Sequence, residues 1–169
     1  MNESWLSPWE PSAPAPWQER HTPAAYRVMR RAVARRARLG TSVPFAIRVE
    51  GRLAGQVTID NIVRGALRSG YLGYWIDRRV AGRGMASLAV ALVCDHAFGP
   101  AGLHRLQADI RPENLPSQRL VERLGFRREG LLRRYLDIDG DWRDHLSYAL
   151  LAEDLPRGVL ARWQEHVPR

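Results

Sequence analysis

A glycine-rich turn between a predicted strand and a predicted buried helix places the strongest constraint on the fold. Gly70–Asp77 (GYLGYWID) is rich in aromatic and β-branched residues and predicts a strand. Met85–Phe98 contains only three polar residues and predicts a mostly buried helix. Leu103–Arg111 alternates apolar and polar side chains and predicts a second strand. Because a helix connects the two strands, we expect them to be parallel.

The other segments predict antiparallel strands and further helices. Thr22 and Pro23 are typical of an N-cap and a first helical residue, and Gly40 should end that helix near Leu39. Two hairpins are predicted. In the first, the strands Pro44–Glu50 and Leu53–Val63 are joined by a turn at Gly51-Arg52. In the second, the strands Phe126–Asp139 and Trp142–Leu151 are joined by a turn at Asp139-Gly140-Asp141. A short helix is predicted at Asn114–Leu124, and a final amphipathic turn or helix at Leu155–Val167.

These patterns together predict an α/β (α+β) fold. We expect a mixed, mostly antiparallel sheet with a central parallel strand pair and helices on both faces. A chain of 169 residues fits one domain. Within it we distinguish a Trp- and Pro-rich arm at residues 1–21, a core at 22–155 and a C-terminal tail at 156–169.

The composition favours an anionic partner and a reducing compartment. The net charge is +8, and all 26 basic residues are arginine. This charge favours a polyphosphate cofactor, RNA or an acidic protein as partner. The alternative is a solvated surface whose arginines reflect only a compositional bias. The single cysteine, Cys94, excludes an intramolecular disulfide and indicates the cytoplasm. Without a long apolar stretch or a Cys/His cluster, we expect neither a membrane span nor a metal.

The turn between the first strand and the buried helix has the character of a diphosphate site. Gly82 and Gly84 let the backbone approach an anion closely, and the free N–H groups of the first helical turn then point at it. Arg78, Arg79 and Arg83 add positive charge beside the turn. No Gly-Lys-Ser/Thr follows, and the third glycine of a dinucleotide fingerprint is absent, so neither of those phosphate motifs applies.

The spacing Arg79-x-x-Gly82-x-Gly84 resembles the pyrophosphate motif of the GNAT acetyltransferases. Other segments are similar to the Rim-type branch, which includes the ribosomal-protein-alanine N-acetyltransferases. They are Trp9-Glu10-Pro11, Leu72-Gly73-Tyr74-Trp75, Leu103-His104-Arg105, Asn114-x-x-Ser117-x-x-Leu120, Leu124-Gly125-Phe126-x-x-Glu129-Gly130 and Asp144-His145-Leu146-Ser147-Tyr148. The resemblance extends over roughly residues 5–151.

The resemblance implies that acetyl-CoA is the co-substrate, held where the two parallel strands splay apart. An amine would enter from the opposite side and attack the thioester directly, with a backbone N–H near Ile76 stabilising the oxyanion. The residues that this implies for CoA binding are Trp75, Ile76, Asp77, Arg78, Arg79, Val80, Ala81, Gly82, Arg83, Gly84, Met85, Ala86, Asn114 and Ser117.

Two residues are candidates for proton transfer. Asp109 occupies a position similar to that of a carboxylate base in one relative, although a water chain would also serve and the residue would then be only a polar group on a half-exposed strand. Ser117 resembles the serine that Rim-type relatives place near the CoA sulfur; its alternative role is helix capping. Many GNAT enzymes have a tyrosine as the acid at the position of Val121, so this chain departs from that pattern.

Several acceptors remain open. The resemblance favours the N-terminal amine of a protein, and the basic helix Thr22–Leu39 would suit association with the ribosome. A small amine, such as an antibiotic or a polyamine, is the second hypothesis, and a non-enzymatic acyl-CoA-binding module is the third.

Rim-type relatives usually have a strand before the arm, so the matching sheet edge would be bare, covered by the arm, or covered by a partner subunit in a homodimer.

Overall fold

One six-stranded sheet organises the molecule, a computed structural model that describes residues 2–166. The strands are β1 Val43–Val49, β2 Arg52–Val63, β3 Ser69–Ile76, β4 Arg105–Ile110, β5 Arg127–Ile138 and β6 Asp141–Leu151. Their spatial order is β1-β2-β3-β4-β6-β5, and all neighbours are antiparallel except β3 and β4. The prediction of a mixed sheet with a central parallel pair is therefore confirmed.

The parallel pair separates soon after it forms. β3 and β4 are paired from Ser69 opposite Arg105 to Tyr71 opposite Gln107, and no pairing follows that point. Beyond it, β3 continues to Ile76 alongside β2, and β4 continues to Ile110 alongside β6. A V-shaped gap therefore opens in the middle of the sheet, as expected from the family resemblance.

Helices cover both faces of this sheet. They are α1 Glu3–Leu6, α2 Trp17–Arg20, α3 Pro23–Arg38, α4 Met85–Phe98, α5 Leu115–Arg123 and α6 Val159–Glu165. α4 packs on the face that carries Val57, Ile59 and Leu106, which are fully buried. On the other face, Arg36 of α3 reaches within 3.7 Å of Asp60, whose side chain alternates with that of Ile59.

Local sequence signals account for where these elements begin and turn. The Thr22 hydroxyl accepts the Ala25 N–H at 3.1 Å, which caps α3 as predicted. The β1–β2 turn lies at Glu50 and Gly51, with φ of 50° and 76°, one residue earlier than predicted. A two-residue turn of this kind needs positive φ at both central positions, and glycine at the second of them suits it best.

The segment predicted as a tail contains helix α6, which packs on α4. Val159 is fully buried, and the Asp95 carboxylate of α4 accepts the N–H groups of Val159 at 2.6 Å and Leu160 at 3.1 Å. Asp95 thus caps α6 from another helix, which sequence spacing does not reveal. The predicted end of this helix, Val167, lies outside the described residues.

Cys94 is fully buried in α4, and burial raises the pKa of its thiol, so it is an unreactive part of the core. No described helix is both long and apolar enough to span a bilayer. In the part of the chain from residue 2 to 166, no three His, Cys, Asp or Glu side chains converge as a metal site would require.

Candidate active site

The gap between β3 and β4 holds a cavity of about 180 Å³. Its lining comes from both strands, α5, β6 and the arm, and comprises Trp9, Leu72, Gly73, Tyr74, Ala108, Asp109, Ile110, Arg111, Asn114, Ser117 and His145. Because side chains alternate along a strand, Tyr74 points to the α4 face while Gly73 and Asp109 point to the α3 face. The cavity therefore has two differently lined halves, which meet where the strands separate.

The turn that follows β3 is open. Gly82 and Gly84 both have φ of 76°, and a Cβ atom at either would meet nothing within 4 Å. Glycine is thus needed at both positions for backbone conformation and not for lack of space. The first hydrogen bond of α4 runs from Leu88 N–H to the Gly84 carbonyl at 2.9 Å. Among the described residues, no main-chain carbonyl accepts from the amides of Gly82 to Ser87, so these amides are free to bind an anion.

The Asp77 side chain stabilises this turn through hydrogen bonds with Arg79. Its buried carboxylate accepts the Arg79 backbone N–H at 2.8 Å, and the Arg79 guanidinium donates to both of its oxygens, at 2.9 and 2.6 Å. The Arg79 guanidinium, followed by the Arg79 amide, holds the pKa of Asp77 well below its ordinary value. Arg79 is therefore tied to Asp77, whereas the exposed Arg78 and Arg83 remain the freer cations beside the glycines.

The hydrogen bonds of the backbone show which of the predicted CoA-binding residues have an N–H or carbonyl group without a partner in β2 or the turn. The amides of Val80 and Ala81 both donate to the Asp77 carbonyl at 3.1 Å, so neither offers a free N–H. The Asp77 N–H donates to the Ala54 carbonyl of β2 at 2.7 Å, and the Trp75 carbonyl lies against Gly55 of β2. The backbone groups of Trp75 and Asp77 therefore point to β2.

Alternate residues of β3 therefore direct their backbone groups into the gap. These residues are Tyr74 and Ile76, since the ladder to β4 ends at Tyr71. Of the predicted stretch Trp75–Asp77, only Ile76 faces the gap.

The N-terminal arm crosses the mouth of the gap. On the β3 side, the Trp5 indole donates to the Ile76 carbonyl at 2.9 Å. On the β4 side, Arg111 donates to the Pro8 carbonyl at 2.7 Å, and its guanidinium lies 5.5 Å from the centre of the Trp9 ring. None of the hydrogen bonds made by residues 2–21 reaches β1, whereas the Ser12 N–H donates to the Asp137 carbonyl of β5 at 2.8 Å.

A tyrosine that the sequence analysis did not single out joins Ser117. The Tyr74 hydroxyl lies 2.6 Å from Ser117 Oγ, on the α4 half of the cavity. Burial raises the pKa of the Tyr74 phenol, so it stays protonated at neutral pH. Capping of α5 belongs to Asn114, whose side chain accepts the Ser117 N–H at 3.2 Å. The only sequence signal for this tyrosine was its place in the Leu72–Trp75 motif, and its partner lies on a distant helix.

Asp109 lies on the other half of the cavity. Gln107 donates its amide hydrogens to the two carboxylate oxygens of Asp109, at 3.1 and 3.2 Å. Burial, with Asp109 and Tyr71 nearby, raises the pKa of Tyr135 to about 12. The buried His145 ring packs edge-on against Tyr135, and burial lowers the His145 pKa, which favours the neutral imidazole. A carboxylate and a hydroxyl pair thus face the gap from opposite sides.

Comparisons with known proteins agree with this geometry. Residues 3–127 match the family model described as an acetyltransferase (GNAT) domain. The probable N-acetyltransferase YjcK of Bacillus subtilis is 42% identical over 105 residues, which are 62% of this chain and 58% of that protein. The ribosomal protein uS5-alanine N-acetyltransferase of Escherichia coli is 32% identical over 160 residues, covering 93% of this chain and 80% of that one.

Solved structures show the same relationship. Mycobacterium smegmatis RimJ in complex with CoA-disulfide superposes with a TM-score of 0.95 and 42% identity, over 97% of this chain and 78% of that one. The ribosomal-protein-S5-alanine acetyltransferase of Vibrio fischeri superposes with a TM-score of 0.82 and 29% identity, over 90% and 83% of the two chains. With the diverging parallel strands and the open glycine turn, these matches show that the chain belongs to the GNAT family of acetyltransferases, acyltransferases whose acetyl donor is acetyl-CoA.

Proposed function

We propose that this protein transfers the acetyl group of acetyl-CoA to the N-terminal α-amine of a protein in the cytoplasm, with a ribosomal protein as the first candidate. The observation that carries the proposal is the extent of the similarity to RimJ, which covers 97% of the chain and includes the CoA-binding half of the fold. The uS5-alanine N-acetyltransferase, which is similar over 93% of the chain, supports the same class of acceptor.

The open turn and the open edge of β3 suit the two parts of CoA. The free amides of Gly82 to Ser87 and the N-terminal end of the α4 dipole would hold the pyrophosphate, with Arg78 and Arg83 adding charge. The backbone of Tyr74 and Ile76 would pair with the amides of pantetheine, as a short strand would. The thioester would then lie in the gap, between the Ser117 side and the Asp109 side.

The chemistry needs one bond formed, one bond broken and three proton transfers, two from the nitrogen and one to the sulfur. The amine nitrogen attacks the thioester carbonyl while a β3 amide that faces the gap stabilises the oxyanion, and the carbon–sulfur bond then breaks. The ammonium first loses a proton to Asp109 or to water beside it, and the same nitrogen loses a second proton by this route as the amide forms. The leaving thiolate takes a proton from the Ser117–Tyr74 pair, whose phenol is held protonated by burial. Placement of the two reactants would supply most of the acceleration, up to about 7–11 kcal/mol.

The lining of the cavity disfavours a polyamine as the acceptor. Asp109 is the one carboxylate among the residues that line it, and a molecule with several ammonium groups would need several. Similarity to the spermidine acetyltransferase SpeG, at 21% identity and a TM-score of 0.70, extends to the fold alone. A small monoamine remains the second candidate. The third, a non-enzymatic acyl-CoA-binding module, is disfavoured by the hydroxyl pair and carboxylate that face the gap.

The test is acetyl transfer to a panel of acceptors. Purified protein and acetyl-CoA are mixed with N-terminal peptides of ribosomal proteins, with the same peptides blocked at the α-amine, and with small amines. Thiol release and mass spectrometry then identify the product. We expect transfer to unblocked peptides, and transfer to small amines only would reject the proposed acceptor.

The variant Gly82→Asp tests the donor site in the same assay. Its carboxylate would face the pyrophosphate, and its φ would be strained, so CoA binding measured by calorimetry should be lost while the fold persists. An unchanged dissociation constant would move the pyrophosphate elsewhere.

A further inference from the structure

Glycine is costly inside a strand, so each glycine in β2 and β3 calls for a reason. Gly55 has one in the packing, because a Cβ atom there would collide with the Trp75 carbonyl. Gly70 has one too, because its Cβ would lie 2.5 Å from Ile59 Cγ2 in the core. Gly73 has neither: its φ is not positive, and a Cβ atom there would meet nothing within 4 Å. Nothing in the protein itself requires glycine at this position.

The position of Gly73 indicates what uses the space instead. It lies two residues beyond Tyr71, where β3 and β4 have just separated, and it lines the cavity. The parallel register of Tyr71 and Gln107, continued by two residues, places Gly73 level with Asp109 across the gap. Its missing side chain would point to the α3 face, the same side as Asp109, and away from the Tyr74–Ser117 pair on the α4 side.

We propose that Gly73 is a specificity-determining residue, because it leaves the room in which the acceptor passes to the thioester. The inference rests on the proposed function, since it assigns the acceptor half of that same site. The α-carbon and first side chain of an N-terminal residue lie against the bare backbone of Gly73, while the amine lies near Asp109. A side chain at residue 73 would occupy that space without disturbing the fold or the donor half of the site.

The variants Gly73→Ala and Gly73→Val separate this role from a structural one. Both residues suit a strand better than glycine, so Tm should rise by about 2 °C. The CoA dissociation constant should stay within twofold of wild type, because the donor lies on the other side of the strand. In contrast, kcat/KM for the acceptor should fall by about tenfold for alanine and about 100-fold for valine. The loss should be smallest for an acceptor that begins with glycine.

Gly130→Ala is the matched control. Gly130 lies in β5, its Cβ would also meet nothing within 4 Å, and it does not line the cavity. This variant should keep the wild-type kcat/KM. All variants are compared on whichever acceptor of the panel the wild-type protein acetylates. Full activity of Gly73→Val with that acceptor, or equal losses in the Gly73 and Gly130 variants, would overturn the inference. Wild-type protein that acetylates no acceptor would instead refute the proposed function, and this inference with it.

Discussion

At the scale of single residues, the proposed role of the Tyr74 and Ser117 hydroxyls is the feature that a substitution tests best. Tyr74 and Ser117 are 2.6 Å apart, and Val121 stands where many GNAT enzymes have a tyrosine. In the proposed mechanism, Tyr74 therefore supplies a phenol from β3 in place of one from α5. If Tyr74 donates through Ser117, the two side chains act as one unit, and their removal is not additive.

We expect Ser117→Ala and Tyr74→Phe each to lower kcat by about 100-fold, with little change in acetyl-CoA affinity. The double variant should lose no more than either single one. Since burial raises the pKa of Tyr74, the loss should be the same from pH 6 to pH 9, because the phenol stays protonated throughout. Steady-state kinetics across this range provide the measurement.

Tyr148→Phe is the control for these variants, because Tyr148 is also buried and its hydroxyl donates to Glu122 at 2.9 Å, away from the cavity. It should lose stability without losing kcat. Additive losses in the double variant, or full activity in either single variant, would assign the acid role to another group.

At the scale of elements, the arm is the part whose path is least evident from the sequence. It is attached to β3 through Trp5 and to β4 through Arg111, so it bridges the two strands where they stand furthest apart. Loss of one such hydrogen bond costs about 1 kcal/mol, which favours opening of the arm by about fivefold.

Trp5→Phe should therefore increase hydrogen exchange at the amides of residues 3–9 by about fivefold, while exchange in the core of β3 stays unchanged. Trp163→Phe is the matched control, because Trp163 is half-buried like Trp5, lies on α6 and shares no hydrogen bond with residues 2–21. An arm that exchanges at the wild-type rate in Trp5→Phe would mean that Trp9 and Arg111 hold it without help from Trp5.

The elements also show what a sequence reveals and what it does not. α4 was predicted with its observed bounds, Met85–Phe98, because its nearly continuous apolar composition and the flanking glycines are local signals. The open turn after β3 was also predicted from a local signal, since Gly82 and Gly84 lie only two positions apart. The partners of Ser117 and Trp5 were not local, because Tyr74 and Ile76 reach them only through sheet pairing and strand divergence. The β1–β2 turn was misplaced by one residue, since a glutamate at positive φ leaves little trace in composition.

At the scale of the whole molecule, the excess of positive charge is concentrated on α3. The helix contains six arginines and no acidic residue, and none of its residues is buried. Within residues 2–166, Arg36 is the arginine of this helix that makes an ion pair, with Asp60. α3 lies on the same face as Gly73 and Asp109, from which the acceptor would arrive, so its field would attract an acceptor carried on an anionic surface such as a ribosome.

This charge should affect encounter and not chemistry. Substitution of Arg30, Arg31 and Arg35 by glutamine removes three charges and leaves the Arg36–Asp60 pair intact. For an acceptor protein presented on the ribosome, kcat/KM at low salt should fall several-fold, and its dependence on salt should become shallower, because fewer counterions are released on binding. For a free tripeptide acceptor without acidic residues, kcat and KM should be unchanged, since it carries no anionic surface for these arginines to attract.

The matched control removes the same net charge elsewhere, through glutamine at Arg48, Arg52 and Arg123, which are exposed and outside α3. If charge acts only through the total of +8, both triple variants should lose the same fraction of kcat/KM at every salt concentration. If position matters, only the α3 variant should flatten the salt dependence. Equal behaviour of the two variants would mean that α3 is an ordinary solvated helix face, and the acceptor would then be recognised by the cavity alone.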